Sequence, residues 1–163
     1  MPPFEIREIR PDDREWIKKF MLDAWGSELV VSRGVIHQAW QLPGFIAHRK
    51  RKLAGLVTYN IEGSQCEIVT LDSTMENIGV GWANIQAVRE VARKAGCTRL
   101  WLITTNDNIH AIRYYQKRGF TIAAVHVNAL EHSRKLKPQI PLIGNEGLPL
   151  RDEIEFEMSL LDE

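Results

Sequence analysis

Two glycines flanking a valine, Gly79-Val80-Gly81, are the residues of this chain whose type and spacing bear most directly on chemistry. With no Cβ at either position the backbone can approach an anion closely, and the first N–H groups of a helix starting there point outward without partners. The helix dipole adds roughly half a positive charge at that end, so a pyrophosphate is the natural ligand. The same pair also fits a loop glycine and a tight helix start with nothing bound. Residues 72–78 separate it from the apolar run 66–71, too long a gap for a dinucleotide-binding turn, and Asn84 stands where that turn needs its third glycine. A Walker loop needs Gly-Lys-Ser/Thr, whereas Gly81 is followed by Trp82-Ala83.

Other reactive side chains give less. His37, His48, His110, His126 and His132 never fall at i, i+4 or beside a cysteine in a ligand spacing, which argues against a metal site. No serine or cysteine has a recognisable base partner, which argues against a covalent acyl-enzyme.

The elements that must position the glycines form a βαβα unit. The apolar strand 66–71 leads through the glycine loop into a helix with Ile85, Val88, Ala92 and Ala95 on one stripe, closed by Gly96. A continuously apolar strand at 100–104 reads as central. A second helix starts near Asn106-Asp107-Asn108, all good capping residues, and ends at Gly119.

This arrangement resembles the GNAT superfamily of acetyl-CoA-dependent N-acetyltransferases. The family's pyrophosphate loop reads Arg/Gln-x-x-Gly-x-Gly/Ala, and Glu76-Asn77-Ile78-Gly79-Val80-Gly81 matches it at both glycines. Glu76 departs from it, and is expected to offer its backbone N–H with its carboxylate turned to solvent. The family's next block, Asn-x-x-Ala-x-x-x-Tyr-x-x-x-Gly-Phe, is met by Asn108, Ala111, Tyr115, Gly119 and Phe120. The resemblance spans roughly residues 4–127 and the last strand. It implies an α/β fold: a mixed, mostly antiparallel central sheet of about six to seven strands flanked by about four helices.

The resemblance also implies roles. Acetyl-CoA would be held by Glu76, Asn77, Ile78, Gly79, Val80, Gly81 and Trp82, with the pantetheine arm on the main chain of Thr70 and Leu71 and the side chain of Asn108. Tyr115 would face the coenzyme sulfur and protonate the departing thiolate; its other role is packing, in a seam with Ile112 and Phe120. Tyr114 points elsewhere on the helix and reads as structural. Trp25, Val30 and Trp40 would wall the acceptor pocket, or belong to the core. An amine of pKa about 10.4 costs roughly 4 to 5 kcal/mol to neutralise at pH 7, so a general base is useful. Glu67 lies where related enzymes often carry one, acting through water; alternatively it is a strand-surface acid paired with a lysine or arginine. The implied reaction is direct acetyl transfer to a primary amine in a ternary complex. A non-catalytic acyl-CoA sensor would keep the glycines and need neither Glu67 nor Tyr115.

Composition narrows the setting. The 163 residues suffice for one domain, with 44% apolar and 26% charged side chains as in globular proteins. No apolar run is long enough to span a bilayer, and the N-terminus lacks signal-peptide character, so a cytoplasmic protein is expected. Lysine plus arginine and aspartate plus glutamate balance at 21 each, which gives no field to draw nucleic acid. Cys66 and Cys97 read as buried thiols. The oligomer, monomer or homodimer, is left open.

The remaining segments read as follows. Residues 4–10 alternate as a strand, and Trp16, Ile17, Phe20, Met21 and Ala24 recur as a helix stripe ended by Gly26. Residues 32–40 are expected to be helical. Residues 44–47 and 53–61 read as a hairpin whose basic tip, His48-Arg49-Lys50-Arg51-Lys52, is solvated or meets a cofactor phosphate. Residues 120–129 read as a strand, and 131–151, with three prolines and two glycines, as a long loop over the cleft or at a dimer contact. Residues 152–160 alternate as a last strand with Glu153, Glu155 and Glu157 on one face, solvated or attracting a cationic amine.

Overall fold

The computed structural model describes residues 3–27, 29–75 and 78–161. Its strands are β1 (Glu5–Glu8), β2 (Leu29–Ser32), β3 (Val35–Gln38), β4 (Gly44–Arg49), β5 (Lys52–Glu62), β6 (Gln65–Ser73), β7 (Arg99–Thr105), β8 (Thr121–His126) and β9 (Glu153–Ser159). Its helices are α1 (Arg14–Trp25), α2 (Val80–Lys94), α3 (Ile109–Lys117) and α4 (Ala129–Leu136). Seven strands form one sheet in the order β1-β4-β5-β6-β7-β9-β8, and β2 pairs with β3 apart from it. Only the β6–β7 contact of the large sheet is parallel, because α2 carries the chain over one face between them. This is the mixed, mostly antiparallel sheet with four helices expected from the sequence.

Strand alternation sends neighbouring side chains into cores on opposite faces. Val57 packs with Ile68, Ile85, Val88, Leu102 and Phe156 on the α2 side. Leu56, one residue earlier, packs with Ile17, Met21 and Ile46 on the α1 side. Arg49, Lys50, Arg51 and Lys52 at the β4–β5 tip are exposed, with Lys50 and Arg51 at positive φ. None of the described helices is long and apolar enough to cross a membrane.

Three local readings are corrected. Residues 32–40 are not helical: they hold the end of β2, the turn Arg33-Gly34, β3 and a short 3-10 turn, Ala39–Gln41. Val30, Val31, Val35 and Ile36 are β-branched and flank a two-residue turn in which Arg33 (φ 51°) and Gly34 (φ 75°) are both left-handed, the geometry a tight hairpin requires. The segment 131–151 is not loop throughout, since α4 continues to Leu136 before Pro138 stops it. The strand expected over 120–129 ends at His126, and Asn128 (φ 62°) turns the chain into α4.

Candidate active site

β6 and β7 part company inside the sheet. They pair from Gln65 with Arg99 to Ile68 with Leu102 and no further. Immediately beyond, the β5–β6 register slips so that Thr70 pairs with Thr58 and Ile68 with Tyr59, leaving Val69 as a bulge. A bulge bends its strand and increases the local twist, which turns the far half of β6 away from β7. A cleft of about 500 Å³ opens there, walled by Leu71, Ser73 and Met75 on one side and by Asn108, Tyr114 and Tyr115 of the α3 region on the other.

The glycine loop closes one end of this cleft. Gly79 is left-handed (φ 84°) and caps α2 with open space where a side chain would stand. A Cβ on Gly81 would lie 3.2 Å from the Tyr114 hydroxyl and 3.6 Å from Ser73 Oγ, so the second glycine keeps the passage between loop and α3 open. The fifteen-residue α2 points its N-terminal N–H groups and positive dipole end at this space. Arg118, at the rim, adds a guanidinium 5.3 Å from the Tyr114 ring and 5.5 Å from the Trp82 ring. Trp82 itself packs against the α2-side core, and Val80 and Ile78 pack beside Ala47 and Ala54. Glu76 and Asn77 lie outside the described residues.

On α3, Asn108 Oδ1 accepts the Ala111 N–H at 3.1 Å and so caps the helix that carries both tyrosines. Tyr115 belongs to the packed seam read for it and also reaches the cleft. Its ring meets Phe120 and Phe156 at 5.6 Å each, while the residue also lines the cleft. Burial, with Tyr114 and Asp72 adding to it, holds its phenol well above the ordinary range, so it carries its proton at neutral pH. Tyr114 is not simply structural, because it forms the cleft wall facing Gly81.

Glu67 stands on β6 before the bulge, only 6% exposed. No lysine or arginine pairs with it among the described residues, contrary to that reading. Instead Ser32 Oγ donates to Oε2 at 2.6 Å and His37 Nε2 stands 3.6 Å from Oε1. Burial pushes the carboxyl up to about 7, with the Ser32 hydrogen bond opposing and Glu153, Glu155 and Glu62 reinforcing the shift. Burial also pushes His37 down, leaving a neutral imidazole as the neighbour. Ser32 and His37 share one face of the β2–β3 hairpin, since Val30 pairs with His37 and Ser32 with Val35. Reading the hairpin as a helix hid this pair, whereas the Arg33-Gly34 turn was the signal that would have revealed it.

Asp72, which the sequence did not single out, is a second, half-buried carboxyl on β6. Burial pushes it up to about 6 against the Trp25 hydrogen bond, in which Nε1 donates to Oδ1 at 3.2 Å, and its Oδ2 is buried without a partner. Trp25 is 46% exposed at the end of α1. Val30 and Trp40 pack against the α1-side core, with Lys18 Nζ 4.9 Å from the Trp40 ring centre.

The β9 carboxylates are not a solvated face. Glu153 is buried and accepts the Arg33 N–H at 3.3 Å. Glu155 binds the Arg99 guanidinium and stands 2.9 Å from His126 Nε2, and Glu157 accepts from Arg99 Nε at 2.8 Å. Their partners come from β7, β8 and the hairpin turn, which the alternation of β9 alone does not reveal.

A sheet splayed beside a glycine-capped helix defines a class, and the comparisons agree with it. The acetyltransferase (GNAT) family profile matches residues 8–120, and the chain belongs to that family. The Bacillus subtilis protein YdhI is 45% identical over 145 residues, covering 88% of this chain and 90% of its own. Among solved structures, an IAA acetyltransferase from Bacillus cereus superposes with a TM-score of 0.74 at 22% identity, covering 96% of this chain and 99% of that one. A GNAT family acetyltransferase from Elizabethkingia anophelis with acetyl-CoA bound gives 0.69 at 17% identity, covering 98% and 99%.

Proposed function

We propose that the protein moves the acetyl group of acetyl-CoA onto a primary amine by direct attack in a ternary complex. The observation that carries this reading is the cleft between β6 and β7, bounded at one end by the Gly79-Val80-Gly81 helix start and lined by Tyr115, with Glu67 on β6 in the last paired residues before the strands part. The donor set fits the cosubstrate: helix N–H groups and Arg118 suit a pyrophosphate, and the β6 main chain beyond Ile68, unpaired toward β7, suits the amides of a pantetheine arm. The binding of acetyl-CoA or CoA by the family members solved with them supports the same choice.

In this reading Glu67, with its pKa near neutrality, accepts a proton from the attacking amine through water. The amine nitrogen bonds to the thioester carbonyl carbon, the carbon–sulfur bond breaks, and Tyr115 gives its proton to the sulfur. Main-chain N–H groups of Thr70 and Leu71 hold the carbonyl oxygen as it gains charge. The Ser32 hydroxyl fixes the Glu67 carboxylate, and His37 keeps bulk water from it. Trp25, Val30 and Trp40 remain the proposed acceptor-side wall, with Trp25 the most accessible of the three.

Thermal unfolding with acetyl-CoA, CoA and NADH in parallel tests the cosubstrate. At a hundredfold excess over Kd a ligand stabilises by about 2.7 kcal/mol, roughly 5 to 10 °C for this size. Shifts with acetyl-CoA and CoA alone support the reading, and no shift with either contradicts it. CoA binding without thiol release toward any amine would favour the sensor alternative.

A further inference from the structure

On the α1 side of the sheet, beyond Glu67 from the cofactor cleft, lies a second recess of about 380 Å³. Its lining includes Asn60, Glu62, Ser64, Gln65, Glu67 and Trp101. The register explains the grouping. Asn60 pairs with Glu67, Glu62 with Gln65, and Glu67 with Trp101, so five of these side chains rise from one face of three adjacent strands. The sixth, Ser64, belongs to the β5–β6 turn.

The chemistry of this lining is one-sided. It presents two carboxylates, two carboxamides, a hydroxyl and an indole ring, with no lysine or arginine in its lining; of the carboxamide oxygens, that of Gln65 accepts from Arg99 Nη1 at 3.2 Å and that of Asn60 is left for a ligand. Beside the recess, the Arg99 guanidinium is matched by Glu155 and Glu157 and the Arg33 guanidinium by Glu155, with Glu153 also near Arg33, so they do not offset Glu62 and Glu67. The Trp101 ring already meets a cation, with the Arg99 guanidinium 5.4 Å from its centre. An anionic group would meet repulsion here, whereas an ammonium would find carboxylate, carbonyl and ring partners together.

We infer that the acceptor is a small linear amine with a second positive charge, its distal ammonium held in this recess by Glu62 and Trp101 while its reacting amine lies at Glu67. This rests on the amine-acetylation reading above and names its substrate class. Two residues along β5 and one strand across put the Glu62 and Glu67 Cα atoms about 8 Å apart, which matches a diamine with a short alkyl spacer. The recess volume suits such a chain and not a folded partner.

The test is an NMR titration of the full chain, saturated with CoA, using the Trp101 indole N–H as reporter. The probes are 1,4-diaminobutane, butylamine, 4-aminobutyrate and trilysine. A partly exposed cation–π contact plus a carboxylate pair predicts that the diamine binds about tenfold more tightly than butylamine, with 4-aminobutyrate weakest. Glu62 is exposed at the strand end, so Glu62→Gln tests the site without disturbing the core. It should bring the diamine-to-butylamine ratio to within about twofold. Equal affinities in the wild type, a preference that survives Glu62→Gln, or tighter binding of 4-aminobutyrate or trilysine than of the diamine would each overturn the assignment. Failure of the acetylation reading shows separately, as absent thiol release with every amine while the diamine preference persists.

Discussion

Replacing Glu67 by glutamine should stabilise the folded protein at pH 8 while removing most of its activity. Burial raises the carboxyl from 4.5 to about 7, although Ser32 favours the charged form. Between those two values the folded state holds a proton that the unfolded state has released. This contribution is therefore intact below about pH 4.5, falls as pH rises through about 7, and is level above it. At 1.36 kcal/mol per pKa unit, the ionised carboxylate costs the fold at most about 3 kcal/mol at pH 8. Glutamine keeps an oxygen for the Ser32 hydroxyl and can offer its N–H₂ to the neutral His37 imidazole. The expected gain is about 1 to 3 kcal/mol at pH 8, or roughly 2 to 10 °C in Tm, shrinking to well under half of that at pH 5. Paired scanning calorimetry of both proteins at the two pH values measures it, alongside thiol release, which should fall about a hundredfold or more. An equal gain at both pH values, or a variant less stable at pH 8, would refute the assignment of a buried carboxylate with a raised pKa to this position.

Three further outcomes follow from the same geometry. Ser32→Ala removes the 2.6 Å hydrogen bond that lowers the Glu67 pKa, so the acidic limb of kcat/KM should move upward from about 7 by roughly one unit; an unmoved limb would separate it from Glu67. Tyr115→Phe keeps the packing against Phe120 and Phe156 but removes the proton donor. It should lower kcat by about tenfold or more with acetyl-CoA affinity, read by calorimetry, within about twofold. Gly79→Ala places a side chain at φ 84°, costing about 1 to 2 kcal/mol of stability by denaturant titration, and should weaken CoA binding; unchanged values of both would mean that the loop is not held in that conformation.

The parts legible in the sequence are those whose signals are local. The glycine loop, the α2 stripe of Ile85, Val88 and Ala92, and the Asn108-to-Phe120 block each carry their pattern within one element and its caps. The β2–β3 hairpin was lost because strands of four residues are too short for alternation to outweigh an equally apolar helix pattern, leaving the Arg33-Gly34 turn as the deciding evidence. The environment of Glu67 was illegible for the same reason: Ser32 and His37 reach it from that hairpin, thirty-five positions away in the case of Ser32. Glu155 likewise looked solvent-facing along β9, while Arg99 and His126 approach it from strands far off in sequence. Asp72 gave no signal at all, since its burial depends on where β6 goes after the Val69 bulge.

In the proposed reaction an acetyl group leaves CoA for an amine at the mouth of the β6–β7 cleft. Mass spectrometry of amines incubated with isotopically labelled acetyl-CoA tests it most directly, run with the wild type and with Glu67→Gln. Label is expected on the nitrogen of a primary amine, with one CoA thiol released per label, and both are expected to be lost in the variant. Tight acetyl-CoA binding with no labelled amine would contradict it, and so would labelling that Glu67→Gln leaves untouched.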